Sequence, residues 1–487
     1  MVEFTDYFNR EVTPSTEYTR TSFKDSSDYP KQEEFIISAK DRKYDRQYFS
    51  MYQYRFKNLK ERIIGNAIQK WGDGTKRVNG QTIVKQDKIL DITSGKLCWV
   101  VGTVFCDLKD KLNIFQDVEK GIDDVLPLVP DSYVGDDENS MTTMLEDESG
   151  RAILHNEEFL SKNILVTGCI VGVLGIEILA GIFEIMDIVY PEASPQKPLT
   201  LKASEGKGKV AIVSGLNLEE GVDADLKLEL LKQYVTGSLG LSEDSKTASS
   251  VCRLIIAGDS VKPIKEMSDR SNRDFVTTNN YGSKNISQYN PESLVKFDEF
   301  LREILVSLPV SVMPGNNDMG EICLPQQPLH KSLFHSNARY LNGEYLERLT
   351  NPYWFNFGEL RVLGTSGQNV HDILKYLSKN TTAAPELILK IMESHIKWQN
   401  FIPTAPDTLY CYPFDNSDPF TLVDETPHVY FVGNQQQYAS EVYTYASTTT
   451  GNSGSVRLVS VPRFSETGEL VLLDLDTLET EVVQILL

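Results

Sequence analysis

Five short runs in this chain place a carboxylate, an amide or a hydroxyl beside glycine, each just after an apolar stretch of strand-like length. They are Ser214-Gly215-Leu216-Asn217 after KVAIV, Gly258-Asp259 after RLIIA, Gly315-Asn316-Asn317-Asp318 after VSVMP, Ser366 in VLGTSGQNV, and Gly433-Asn434-Gln435-Gln436 after HVYFV. Polar side chains gathered at the ends of neighbouring strands are the raw material of a hydrolytic centre built on two divalent cations. Such a centre needs carboxylates to offset the ionic charge, and imidazoles whose second nitrogen is oriented by an outer partner. Neutral amides supply neither.

The placement of these runs is similar to that of metallophosphoesterase motifs, which close strands with Asp-x-His, Gly-Asp, Gly-Asn-His-Asp/Glu and Gly-His-x-His. Against that pattern Gly215 and Asn217 stand where two charged ligands belong, and Asn317, Asn434, Gln436 and Ser366 each occupy a histidine position. Asp259, in the bridging place, and Asn316 keep a ligating residue type. One carboxylate and one amide carbonyl would leave both ions mostly water-bound, so no tight metal site is expected and no cofactor is assigned. Asp259 and Asp318 then read as strand-end carboxylates that hold their loops by accepting hydrogen bonds. His371 and His428 lie near the degraded runs; packing or surface roles are expected of them, recruitment to a reduced metal site being the competing reading.

The elements around these runs predict a layered body. From Lys209 onward, strand-like stretches alternate with helical patterns at Ala224–Tyr234 and Leu294–Leu308, a βαβ alternation that implies a sheet flanked by helices, with the polar runs on its loops. Ser260–Asn290 reads as a polar insertion. VRLVSVPRF and ELVLLDLDTLETEVVQILL, broken at Glu466–Gly468, are expected to be closing strands of a second sheet, the last tied down by Leu486 and Leu487.

Upstream, residues 1–40 are polar and are expected to be a flexible tail. Tyr48, Met51, Tyr52, Phe56, Leu59 and Ile63 recur at helical spacing and predict an amphipathic helix over Tyr48–Ile68 that covers its own barrel. Between Ile89 and Tyr190, LCWVVGTVFCDL, TMLEDESGRAIL, ILVTGCIVGVLGIE and GIFEIMDIVY are short strands with glycine-marked bends, suited to a small closed barrel. Residues 191–208 form a linker, which leaves 41–190 and 209–487 as the two folded units.

Composition narrows the function. A chain of 487 residues with 40% hydrophobic and 10% aromatic content is globular and of two or three domains. Its formal charge of -21 opposes the phosphate neutralisation that dominates nucleic-acid affinity, so contact with DNA is expected to be indirect. Lys57, Lys60 and Arg62 form a basic cluster on the expected helix. Six scattered cysteines without a CxxC pair indicate buried thiols rather than zinc or disulfides. The N-terminus lacks a signal-peptide pattern, and Ile164–Gly181 reads as paired strands rather than a membrane span.

Four further strings carry a family resemblance: QYFSMYQYRFKNLKERI, MLEDESGRAIL, LPQQPLHKSLF and WQNFIPTAPDTLYCYPF. Together with the degraded motifs they resemble the small (B) subunits of replicative DNA polymerases, most closely the branch serving eukaryotic polymerase delta. That resemblance implies an α+β multidomain chain: an oligonucleotide/oligosaccharide-binding (OB) barrel followed by an inactive calcineurin-like metallophosphoesterase domain of α/β sandwich form. It implies a non-catalytic nuclear subunit for DNA replication and repair. The implied partners are the cysteine-rich C-terminal domain of the delta catalytic subunit, a third accessory subunit, and by extension the polymerase zeta catalytic subunit. A degenerate metal-dependent phosphoesterase or nuclease, and a single-strand-binding OB module, are the competing readings.

Overall fold

The computed structural model describes residues 18–23, 29–38, 40, 42–45, 47–109, 111, 131–134, 141–199, 206, 208–219, 226–239, 242–262, 291–341, 345–377, 383–446, 451 and 453–486. Most of the Ser260–Asn290 insertion lies outside these residues.

Helix α1 (Phe49–Trp71) buries Met51, Arg55, Leu59, Ile63, Ala67 and Trp71, a stripe at four-residue spacing, and stops at Gly72, whose φ of 74° continues no helix. After three two-residue strands come β1 (Leu97–Leu108), with which the last of the three (Val84–Lys85) pairs parallel, β2 (Met141–Glu146), β3 (Arg151–His155), β4 (Ile170–Leu179) and β5 (Ile182–Val189), with a short helix α2 (Glu157–Lys162) between β3 and β4. They pair in the order β1-β2-β3-β5-β4, and β1 pairs again with β4, which closes the barrel. Leu59, Ile63, Ala67 and Trp71 pack on Trp99, Val101, Ile170 and Leu174, so the helix covers barrel wall, as its periodicity predicts. A Cβ on Gly172 would stand 2.8 Å from Ile63 Cγ2; the bare backbone is what lets α1 lie this close.

The remainder is two facing sheets between helices. The first contains β6 (Lys209–Val213), β7 (Val251–Ala257), β8 (Val310–Met313) and β9 (Leu346–Arg348), all parallel; α3 (Leu226–Thr236), α4 (Ser242–Ser250) and α5 (Pro291–Ile304) lie between these strands in sequence. The second contains β10 (Tyr353–Phe357), β11 (Leu360–Thr365), β12 (Val429–Gln435), β13 (Ala439–Ala446) and β14 (Ser453–Pro462), in the order β10-β11-β12-β14-β13. α6 (Gln368–Leu374) and α7 (Pro385–Trp398) cover its outer face. Val210, Ile212, Ile255, Phe355, Val362, Phe431 and Val459 fill the space between the sheets. α3 and α5 pack with the opposite face of the first sheet through Leu231, Phe297, Leu301 and Val310.

Three expectations need correction. β14 joins the second sheet, but β15 (Glu469–Asp474) and β16 (Thr480–Gln484) cross back to the first, where β15 pairs antiparallel with β6. Alternation alone cannot tell which of two facing sheets a strand will join; the crossing is fixed by Phe464, fully buried, and its N–H donating to Ser214 O at 2.8 Å. The last strand is held by Ile485, 7% exposed, whereas Leu486 is 72% exposed and Leu487 lies outside the described residues. Ile485→Ala should therefore cost about 2 kcal/mol in urea denaturation, and Leu486→Ala less than about 0.5 kcal/mol.

Third, residues 1–17 of the expected tail lie outside the described residues, whereas parts of 18–40 are packed on the body. Within the described parts, the Arg20 guanidinium donates to Val235 O, Ala248 O and Val251 O, each at 2.8 Å, near the C-terminal ends of α3 and α4 and at the start of β7. Tyr29 and Phe35 are buried, and Phe23 packs edge-on against Phe357. These segments are a strap across the two-sheet body; isolated aromatics in a polar stretch have no periodicity to reveal them. Residues 191–199 also lie on this body, with Gln196 Nε2 donating to Pro427 O and Ser455 O. None of the helices in the described residues is long and apolar enough to cross a membrane.

Candidate functional site

The five polar runs meet at the C-terminal ends of β6, β7, β8, β11 and β12, where the two sheets face each other. Backbone bonds stitch the loops: Gly215 N donates to Gly258 O at 2.9 Å, Asn217 N to Asp259 O at 3.0 Å, and Leu218 N to Ser260 O at 3.0 Å. Asn217, Asp259 and Asn434 hold φ values of 48°, 54° and 57°, a left-handed conformation that Asn and Asp adopt more readily than other non-glycine residues.

Both buried carboxylates are already engaged by the protein. Asp259 accepts Asn317 N–H at 2.9 Å on one oxygen and the Asn317 side-chain amide at 3.2 Å on the other. Asp318 accepts Ser260 N–H at 2.7 Å, Val261 N–H at 3.1 Å and Gly315 N–H at 2.8 Å. Burial first, and the Asp259 charge second, push the Asp318 pKa up to about 7 against the pull of those three donors. Burial raises Asp259 as well, opposed by the Asn317 N–H and by the Arg463 charge.

Amides fill the rest of the cleft. Asn434 lies with its side-chain amide donating to Ser366 O at 2.8 Å and Ala257 O at 3.3 Å, so it ties the two sheets together. Ser366 Oγ accepts from Asn351 at 2.7 Å and donates to Gln368 at 2.6 Å. Gln326 Oε1 accepts from both Asn351 and Gln368, while its amide donates to Gly315 O at 2.9 Å. The loops touch so closely that a Cβ on Gly315 would collide with Asp259, and one on Gly258 would stand 2.6 Å from Ser366 Cβ.

The structure thus brings together Gly215, Asn217, Asp259, Asn317, Asp318, Ser366 and Asn434. It leaves Asn316 and Gln436 exposed at the rim. Gln436 lines a small cavity of about 70 Å³ with His371, Gln435 and Arg463. Burial, and secondarily the Arg463 charge, lower His371 to a pKa of about 4, which keeps it neutral. His428 is further off: its Nδ1 accepts Arg361 N–H at 2.9 Å and its Nε2 lies 2.8 Å from Lys197 O, a tether for residues 191–199. Among the described residues no three His, Cys, Asp or Glu are grouped to hold a metal ion.

Sequence reasoning misses Gln326, Asn351 and Gln368. The first lies inside LPQQPLHKSLF, and the signal available is an amide pair between two prolines. Arg62 also departs from expectation, since it is no surface cation of a basic patch. Its guanidinium is held by Ser194, Gln399 and Val423 O, at 2.8, 2.6 and 2.6 Å.

Comparison with known proteins agrees with this architecture. A family model described as the DNA polymerase delta subunit OB-fold domain matches residues 47–188. A second, for the B subunits of DNA polymerases alpha and epsilon, matches residues 210–441. The chain is 39% identical to the DNA polymerase delta small subunit of Saccharomyces cerevisiae over 96% of its length and 95% of the yeast protein. It is 35% identical to the small subunit of Oryza sativa over 80% of this chain and 84% of the rice protein. It is 32% identical to DNA polymerase delta subunit 2 of Drosophila melanogaster over 92% of this chain and 95% of the fly protein. With both halves matched by polymerase-subunit models and relatives this similar across nearly the whole chain, the protein belongs to the DNA polymerase delta small subunit family.

Proposed function

We propose that the chain is a non-catalytic accessory subunit of DNA polymerase delta, a nuclear scaffold that joins the catalytic subunit's cysteine-rich C-terminal domain to a further accessory subunit. The polymerase zeta catalytic subunit is proposed as a second client, and DNA is reached through the complex. The division is 41–190 for helix and OB barrel, 191–208 for the linker, and 209–487 for a phosphoesterase-like sandwich without hydrolytic activity. Gly215, Asn217, Asp259, Asn316, Asn317, Asp318, Ser366, Asn434 and Gln436 are the vestigial positions.

The observation that carries this reading is the state of the two buried carboxylates. Asp259 and Asp318 accept at least five hydrogen bonds between them from the loops that would cradle the metals. A pair of cations would compete with those donors for the carboxylate lone pairs and would need further ligands where Asn434 is already engaged with Ser366 O and Ala257 O.

Asp259→Asn tests it. Oδ1 still accepts Asn317 N–H, and a flip of the Asn317 amide restores the second bond, so stability at neutral pH should change by no more than about 1 kcal/mol. The raised Asp318 pKa favours the fold fully below the unfolded carboxyl value near 4 and loses that contribution as pH rises through about 7. Removing the Asp259 charge lessens this loss, so the variant should gain on the wild type in urea midpoints between about pH 5 and about pH 8. It should still co-elute with the delta catalytic subunit at micromolar concentration. Manganese-dependent phosphodiester hydrolysis that disappears in this variant would falsify the scaffold reading.

A further inference from the structure

The barrel wall has one covered side and one open side. α1 packs on Leu97, Trp99 and Val101, the odd-numbered side chains in the first half of β1. Past Gly102 the same face emerges as Thr103, Phe105 and Asp107, while Val104, Cys106 and Leu108 stay in the core.

Strand register turns that exposed face into an apolar row. Phe105 lies opposite Met144, Met144 opposite Ile153, Ile153 opposite Ile182, and Ile182 opposite Leu179. Directly opposed residues share a face, so five apolar side chains cross β1, β2, β3, β5 and β4 in a line of roughly 19 Å. Ile153 is 39% exposed and Leu179 63%; Met186, on the same face of β5, is 47% exposed.

The chemistry beside the row is acidic. Asp107 and Glu184 flank it, with His155 opposite Glu184. Its one guanidinium, Arg151, is neutralised by Glu146 at 2.8 Å and lies 4.6 Å from the Phe105 ring centre. OB folds use this wall for oligonucleotides, by stacking bases on aromatics within a positive groove. Here the single aromatic is already capped and the rim repels phosphate.

We propose that this row is the docking surface for another subunit of the polymerase complex. The match is an amphipathic helix of about three to four turns, its apolar stripe flanked by lysine or arginine. This rests on the accessory-subunit reading above and assigns it a surface.

The test uses the full chain with the recombinant catalytic subunit and the recombinant further accessory subunit, each alone, and an oligothymidylate of about 30 nucleotides. Ile153→Lys and Leu179→Lys change outward side chains and should melt with the wild type. Each should weaken binding of one subunit by about tenfold or more and leave the other unaffected. Glu184→Lys should weaken the same subunit more at low salt than at high salt. Equal binding of both subunits by the Ile153→Lys/Leu179→Lys double variant overturns the surface alone. An unsubstituted chain that binds neither subunit overturns the parent reading with it. Salt-sensitive oligothymidylate binding that Ile153→Lys abolishes overturns the protein occupant.

Discussion

Arg55→Met should destabilise the protein by about 3–5 kcal/mol, because it strands a buried carboxylate at the junction of barrel and sandwich. Arg55 projects from α1 with its side chain fully buried, as is that of its partner Asp418. Nε donates to Asp418 Oδ2 at 2.7 Å, Nη1 to Pro403 O at 3.0 Å and Nη2 to Ala405 O at 3.1 Å. Methionine fills the volume but leaves the Asp418 charge supported by Phe420 N–H, at 3.1 Å on the other oxygen, and strips two carbonyls of their guanidinium donors. Arg55→Lys should recover little, since an ammonium on a flexible stem cannot serve three acceptors spread across a planar fork. Arg55→Met with Asp418→Asn should recover much of the loss, because the buried charge is gone. The check is a urea double-mutant cycle. A cost below about 1 kcal/mol for Arg55→Met would mean that the junction admits water and that the two units move independently.

Arg55 also marks the limit of what is legible in the sequence. The periodicity of α1 is readable, and its stripe includes position 55, but a helical wheel assigns arginine to solvent. Nothing local announces that Pro403, Ala405 and Asp418, some 350 residues later, supply its acceptors. The strands at KVAIV, RLIIA and VSVMP are legible for the opposite reason: a short apolar run ending in glycine or proline has few alternatives. Their polar ends can be read as ligand-poor from residue types alone. The amide network around Ser366 cannot, because Gln326, Asn351 and Gln368, the last opening α6, come from three separate stretches of chain and meet only through the fold.

Hydrogen bonds between the loops hold the cleft in shape. In a two-metal centre, cations hold acidic loops together; here Asp259 and Asp318 accept backbone N–H groups and the Asn434 amide donates to two loops. Asn434 is the clearest case. A histidine there could not donate at once to Ala257 O and Ser366 O from one side-chain nitrogen, as the amide does. An amide at this position therefore bonds two loops at once and offers no imidazole to a cation. A rigid body is what a subunit needs if its surfaces are to hold partners in a fixed relation.

Phe35→Ala is the second large effect, and it separates a seated strap from a loose tail. Phe35 is fully buried, stacked at 6.4 Å on Phe420 and edge-on at 6.4 Å to Phe401. Gln327 clamps the same turn, donating to Phe35 O and accepting Ile37 N–H, both at 2.9 Å. Truncating a buried phenylalanine costs about 3–5 kcal/mol where the surroundings cannot collapse. The measured loss is capped, however, by the free energy that seats the strap, because beyond that point the segment detaches while the sandwich stays folded. Two outcomes therefore fit: a drop of that size in the urea transition, or a smaller drop with rapid proteolysis confined to residues 29–45. A variant with both the wild-type transition and wild-type protease resistance would show that Phe35 is not in this pocket in solution. The strap runs directly into α1, so its detachment also removes one of the contacts that fix the helix carrying Arg55. The two substitutions should accordingly be non-additive, the double variant losing less than the sum.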